Sequence, residues 1–134
     1  MRVSGFQALA LVAGICFVPL QAAAAPAYDC ALSEVYECTT AGCAKTTAQD
    51  RGLPAAVTLD VKQKNLFSGL FGGQGLLESG DVYEDDQVLI MHGRRALQTW
   101  TAVVSKPTGA YSGSVSQIGK TFAQFGTCTG KALE

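Results

Sequence analysis

Five cysteines and one histidine are the side chains of this chain with the most distinctive chemistry. Thiolates and imidazoles together bind zinc, and a cysteine pair with two residues between its members can exchange disulfides. Cys38 and Cys43 have four residues between them, so they do not form a C-x-x-C motif. Because His92 is the only imidazole, the sequence disfavours a zinc site. We predict that the cysteines are structural and that no metal is bound.

One of the cysteines, Cys16, lies in an N-terminal segment with the features of an export signal. Arg2 is the only charge of this segment, and its apolar run, 6–20, is shorter than the roughly 20 residues that span a bilayer. Small residues follow, as signal peptidase requires. They favour cleavage after Ala24, with Ala27 as the second choice.

We therefore predict a cleaved signal peptide over 1–24, a single domain over 25–134, and a periplasmic or secreted location. The whole chain carries eleven acidic against ten basic residues. It lacks a basic stripe with interleaved aromatic residues, so the composition argues against a nucleic-acid partner. No apolar run after the signal is long enough to anchor the chain in a membrane.

Removal of Cys16 leaves four cysteines, which predict two disulfides in an oxidising compartment, with three alternative connectivities. Cys38 and Cys43 are close enough in sequence to close a short local loop. Cys30 and Cys128 lie near the two ends of the domain, and a bond between them would close a loop of about 99 residues, worth about 4 to 5 kcal/mol. We predict the pairs Cys30–Cys128 and Cys38–Cys43.

Alternation of apolar and polar residues with a period of two dominates the predicted domain and is typical of β-strands. Separated by turns, the clearest such segments are 55–61, 82–83, 87–92, 96–105, 110–116 and 120–128. Only 33–37 hints at a helical turn. The sequence therefore predicts an all-β fold, a small antiparallel meander or half-closed barrel of about seven strands. Pairing of the first strand, which would carry Cys30, with the last would put Cys30 beside Cys128.

Large apolar side chains occur both in the predicted strands and in one glycine-rich segment. Trp100 and Tyr111 lie on neighbouring predicted strands, and we expect them to belong to the core. The glycine-rich segment 67–75 predicts a flexible loop that carries Leu70 and Phe71 as apolar tips.

Two sequence patterns resemble binding motifs without having their spacing. The segment 113–121 has five residues between its glycines, whereas a phosphate-binding P-loop has four, so we interpret it as a hairpin turn. Five carboxylates lie within 78–86, but they lack the regular spacing of a calcium loop and predict a solvated turn. We therefore predict no cofactor.

Any histidine-dependent mechanism would have to use His92. The string 109–113 comes nearest to the G-x-S-x-G motif of one family of serine hydrolases, but it places Ser112 one position late. With Arg94 and Arg95, His92 could form an anion-binding patch or present cations to a partner's carboxylates. A role at a surface strand end is the simpler interpretation, and we predict no catalytic residue.

The predicted domain as a whole resembles a group of small exported bacterial proteins of unassigned function. The resemblance rests on the spacing Cys30-x7-Cys38-x4-Cys43 and on the closing Gly-Thr-Cys of the last strand, 126–128. It implies an exported, disulfide-bonded β-fold and carries no activity with it.

A second resemblance is local. The segments 79–83 (SGDVY) and 88–93 (VLIMHG) are similar to the conserved stretch of the periplasmic C-type lysozyme inhibitors. In that family S-G-x-x-Y precedes a β-strand that ends in Lys-Gly, within a disulfide-tied antiparallel barrel. The resemblance implies that a Ser and a Lys enter the lysozyme cleft and engage its catalytic carboxylates.

Residue by residue, Ser79 matches the family's Ser, Tyr83 its Tyr and Gly93 its Gly. His92 stands where the family has Lys, and a neutral imidazole does not supply the same fixed charge at pH 7. Arg94 could replace that charge. The candidate binding residues are therefore Ser79, Tyr83, His92, Gly93 and Arg94.

These observations predict an exported, non-catalytic domain that binds an unknown protein partner. A lysozyme inhibitor that acts through 79–93 is the more specific alternative. A further alternative is a small-ligand-binding barrel in which the loop with Leu70 and Phe71 closes the mouth.

Overall fold

The computed structural model describes residues 27–51, 55–67 and 78–131. They form one short 3₁₀ helix, Gln49–Arg51, and nine β-strands. The strands are β1 (Ala27–Thr39), β2 (Gly42–Thr46), β3 (Ala56–Asp60), β4 (Asn65–Phe67), β5 (Glu78–Glu84), β6 (Val88–Arg95), β7 (Gln98–Ser105), β8 (Ala110–Gln117) and β9 (Lys120–Lys131). No helix in these ranges has the length and apolar character needed to cross a membrane.

The strands form one antiparallel sheet in the order β4-β3-β1-β9-β8-β7-β6-β5, with β2 beside β1. The sheet curls into a half-barrel, which confirms the predicted all-β architecture. Nine strands are present where about seven were predicted. The additional strands include β2 with five residues and β4 with three, which are too short for an alternating pattern to be evident.

Two predicted segments lie outside the described residues. These are the signal peptide, 1–24, and most of the glycine-rich loop, including Leu70 and Phe71. Turns lie at 62–64 between β3 and β4, at 106–108 between β7 and β8, and at 118–119 between β8 and β9, each next to the end of a segment that was predicted to be a strand.

Strand β1 is the longest and has neighbours on both edges. On one edge it pairs with β9 along 27–38, which confirms that the first strand lies beside the last. On the other edge, its first part, 27–31, pairs with β3 and its last part, 35–39, pairs with β2. Strand β1 therefore connects β2, β3 and β4 on one side to β9 and the remaining strands on the other.

A β-bulge interrupts the pairing of β1 with β9 at Ser33. Leu32 is opposite Gly126 and Glu34 is opposite Phe125, so Ser33 is the extra residue, and its hydroxyl donates a hydrogen bond to the Phe125 carbonyl at 3.2 Å. The extra residue places the partly buried Leu32 and the buried Val35 three positions apart. This spacing imitates a helix, and the expectation of a helical turn at 33–37 was wrong for that reason.

The core covers one face of the curled sheet. Its largest fully buried side chains are Trp100, Leu59, Leu89, Met91, Val57 and Val104. Tyr111 is buried with them, as predicted, although it is opposite Val104 rather than Trp100. The other face of the sheet, here called the outer face, carries most of the polar side chains.

Both predicted disulfides are present. Cys30 is directly opposite Cys128 in the pairing of β1 with β9, and Cys38 is directly opposite Cys43 in the β1–β2 hairpin. The first bond joins residues 98 positions apart and the second joins residues 5 positions apart. A cross-link stabilises by reducing the entropy of the unfolded chain, so the first should contribute more.

Replacing each disulfide by two serines should therefore lower the free energy of unfolding by unequal amounts. The loss should be about 5 kcal/mol for Cys30→Ser with Cys128→Ser, and about 2 kcal/mol for Cys38→Ser with Cys43→Ser. Urea unfolding followed by fluorescence measures both losses, because Trp100 is the only tryptophan and is buried. Equal losses would contradict the expectation.

Candidate functional site

The predicted site residues lie on the hairpin that β5 and β6 form. Asp81 is opposite His92 and Tyr83 is opposite Ile90, and the side chains of Asp81, Tyr83 and His92 are exposed. Because side chains alternate along a strand, these residues share the outer face, away from the core.

Ser79 lies in a backbone irregularity of this hairpin. Glu78 is paired with Arg94 and Asp81 with His92, so the register shifts across Ser79 and the next residue. Ser79 is therefore next to the stretch 92–94 of β6. The structure brings Ser79, His92, Gly93 and Arg94 together at one end of the hairpin, whereas Tyr83 lies nearer its turn.

An open groove of about 390 Å³ follows this end of the hairpin onto β7. Asp81, His92 and Arg94 line one side, and Thr99 and Thr101 line the other. The register explains this arrangement, because Arg94 is opposite Thr99 and His92 is opposite Thr101. The groove thus combines a carboxylate, an imidazole, a guanidinium and two hydroxyl groups, open to solvent.

His92 and Asp81 form a loose pair. The Nε2 atom of His92 is 3.9 Å from Oδ2 of Asp81, which is beyond hydrogen-bond range. The side chains are 55% and 90% exposed, so water screens their interaction. Among the described residues, no group of three or more His, Cys, Asp or Glu side chains could hold a metal ion.

Gly93 has a packing role that the sequence did not reveal. It is opposite Trp100, and a Cβ atom at this position would lie 2.8 Å from Nε1 and 2.9 Å from two ring carbons of the indole. Trp100 is only 2% exposed and fills the core beneath the hairpin. The absence of a side chain at Gly93 allows the indole to pack directly against β6.

Gly93→Ala should destabilise the protein by about 1 to 3 kcal/mol, because the new methyl group overlaps the indole. Trp100→Phe removes the overlapping atoms, so the double variant should be more stable than the sum of the two single losses predicts, by about 1 kcal/mol or more. Urea unfolding of the four proteins of this cycle, followed by circular dichroism because two of them lack the tryptophan, measures the coupling. Strictly additive losses would show that the indole does not dictate glycine at 93.

The turn between β5 and β6 is held by Asp85. Its Oδ1 accepts hydrogen bonds from the backbone N–H groups of Val88 and Gln87, both at 2.8 Å, and its Oδ2 accepts one from the Tyr83 hydroxyl at 2.9 Å. These bonds lower the pKa of Asp85, and the bond from the Val88 N–H has the largest effect. The bond with Asp85 raises the pKa of the Tyr83 hydroxyl. The predicted acidic turn is thus present, and one of its carboxylates is part of its framework.

Lys106 ties this turn to the β7–β8 connection. Its Nζ donates to Oε1 of Glu84 at 2.9 Å and to the carbonyl oxygen of Asp85 at 2.7 Å. The bond with Glu84 raises the pKa of Lys106. The far end of the hairpin is therefore fixed to the rest of the sheet.

Asp85→Asn should reduce stability in a pH-dependent manner. A carboxyl whose pKa is lowered by folding stabilises the folded state above its ordinary pKa, about 3.9, and loses this contribution as the pH falls through the lowered pKa. The variant should therefore be less stable than the unmodified protein at pH 7, with the difference shrinking below about pH 4. Urea midpoints across this range test it, with the exposed neighbour Asp86→Asn as control. A difference that does not change with pH would contradict the assignment.

A second surface groove lies on the outer face, and no sequence pattern predicted it. It has a volume of about 560 Å³, and its lining includes Val88, Val103, Pro107 and Phe125. Phe125 is 44% exposed, and its ring meets that of Tyr36 edge to face at 6.2 Å. Alternation places these residues on the outer face, but only the register across four strands brings them together.

The chain matches no protein-family model, no curated protein and no solved structure.

Proposed function

We propose that this protein is an exported, non-catalytic domain that binds a protein partner through the outer face of the β5–β6 hairpin. The observation that carries the proposal is the clustering of Ser79, His92 and Arg94 at one end of this hairpin, beside an open groove. The indole of Trp100 packs against β6 at Gly93, beside the cluster, and Lys106 ties the far end of the hairpin to the sheet.

Export is supported by the disulfides, which persist in oxidising compartments. The start of β1 also favours one of the two cleavage sites. Ala27 is fully buried and pairs with Asp60 and Lys131, so cleavage after Ala27 would remove a core residue, whereas cleavage after Ala24 leaves β1 complete.

Binding is favoured over catalysis by the shape of the site. Catalytic groups normally lie in clefts that bury much of a substrate and exclude water. Here the charged groups line a groove that is open to solvent, and both members of the His92–Asp81 pair are largely exposed. An exposed hairpin of this kind can enter the cleft of another protein.

A c-type lysozyme is the specific partner that we propose. The cleft of such an enzyme carries catalytic carboxylates, which a cation and a hydroxyl group can engage. In this chain the cation would come from Arg94, which lies two residues beyond His92 on the same face of β6 and is exposed. Arginine also offers two parallel N–H donors to a carboxylate, which lysine does not.

The test is inhibition of cell-wall lysis by c-type lysozyme, with oxidised protein that lacks 1–24. The unmodified protein should inhibit at micromolar concentration or below. Arg94→Gln and Ser79→Ala should each weaken inhibition by about tenfold, because each removes a polar contact at the centre of the interface. Lys62→Gln and Ser112→Ala are matched controls, since both residues are exposed and lie outside the β5–β6 hairpin.

The outcomes distinguish the choice of lysozyme as the partner from the choice of contact residues. Absence of inhibition and of binding at micromolar protein would exclude lysozyme as the partner. Inhibition that survives both Arg94→Gln and Ser79→Ala would show that the contact surface lies elsewhere. Urea midpoints of the variants, equal to that of the unmodified protein, ensure that a loss of inhibition is not a loss of folding.

The alternative of a small-ligand carrier has less support. In the described residues, the concave face of the half-barrel is filled by side chains such as Trp100, Met91 and Leu59. The grooves on the hairpin and around Phe125 are open to solvent rather than enclosed. No described feature indicates a space for a buried ligand.

A further inference from the structure

The two disulfides differ in their access to solvent. Cys30 is 1% exposed and Cys128 is 7% exposed, so their bond lies within the core. Cys43 is exposed and Cys38 is only partly buried. A thiolate can attack a disulfide only when it reaches one of the sulfur atoms along the bond axis, so the second bond is the accessible one.

The Cys38–Cys43 bond can also open without disturbing the main sheet. It joins β1 to β2, and β2 lies off the path that connects the other eight strands. In the described part of the chain, β2 pairs with β1 alone. By contrast, Cys30–Cys128 lies within the central pairing of β1 with β9, and both of its cysteines are buried.

Charged side chains lie on both faces of the β1–β2 hairpin. An open groove of about 310 Å³ has Cys43, Glu37 and Arg51 in its lining. Arg51 lies 2.9 Å from one carboxylate oxygen of Glu37, and Nζ of Lys120 lies 3.6 Å from the other. Glu37 alternates with Cys38 along β1, so this cluster lies on the face opposite the disulfide. On the disulfide's own face, Lys45 is paired with Glu34 at 2.8 Å, so the exposure of Cys43, rather than a local charge, makes the bond accessible to a thiolate.

We propose that Cys38–Cys43 is a site of thiol–disulfide exchange with a dithiol, and that Cys43 is the sulfur attacked. A thiolate of the dithiol bonds to Sγ of Cys43, the Cys38–Cys43 bond breaks, and Cys38 leaves as a thiolate that takes a proton from water. The second thiol, as its thiolate, then attacks the first sulfur of the dithiol and releases Cys43 as a thiolate. Two electrons pass from the dithiol, which becomes a disulfide, and Cys30–Cys128 stays intact.

The experiment is timed reduction of the folded, oxidised protein by dithiothreitol, with iodoacetamide quenching and mass spectrometry of each cysteine peptide. Cys38 and Cys43 should be alkylated about tenfold faster than Cys30 and Cys128, or more. The variant with Cys38→Ser and Cys43→Ser is the matched control, and it should show almost no alkylation over the same period.

A second measurement tests whether the opening is local. After selective reduction, hydrogen exchange should speed up in β2 and remain unchanged in β9. Alkylation of all four cysteines at one rate, or labelling only after urea is added, would overturn the proposal, because exchange would then require global unfolding. Faster labelling of Cys128 than of Cys43 would overturn it as well.

Discussion

The long antiparallel pairing of β1 with β9 is the interaction on which the rest of the sheet depends. On one side of it lie β2, β3 and β4, and on the other side lies the meander from β8 to β5. The two strands come from opposite ends of the described chain, so their pairing carries the largest entropy of loop closure in the fold. The buried bond between Cys30 and Cys128 offsets that cost at the position where the strands meet.

The register of this pairing determines the register of each following strand, and so the position of the candidate site. β9 orients β8, β8 orients β7, and the pairing of β7 with β6 sets Gly93 over the indole of Trp100. A slip of one residue would turn every side chain to the other face. The outward direction of His92 and Arg94 is therefore a property of the whole meander, and the bulky indole makes a slip costly.

The sequence predicted those parts of the fold in which one face of a strand is buried over many residues. β3 and β6 to β9 show this alternation, and both disulfide pairs followed from the loop lengths. β2 and β4 were missed because they are short, and the bulge at Ser33 imitated a helical turn. The neighbourhood of His92 and Ser79 was predictable from a hairpin alone. The contact of Gly93 with Trp100 and the groove around Phe125 were not, because they depend on register between strands.

The single extra residue at Ser33 also places the two disulfides in different environments. In an unbroken strand, positions 30 and 38 would face the same side, because side chains alternate. The bulge reverses the alternation, so Cys30 points into the core while Cys38 shares the side of Tyr36, whose ring contacts the exposed Phe125. The bulge at Ser33 therefore places one disulfide in the protein interior. The other disulfide lies where reagents in the surrounding medium can reach it.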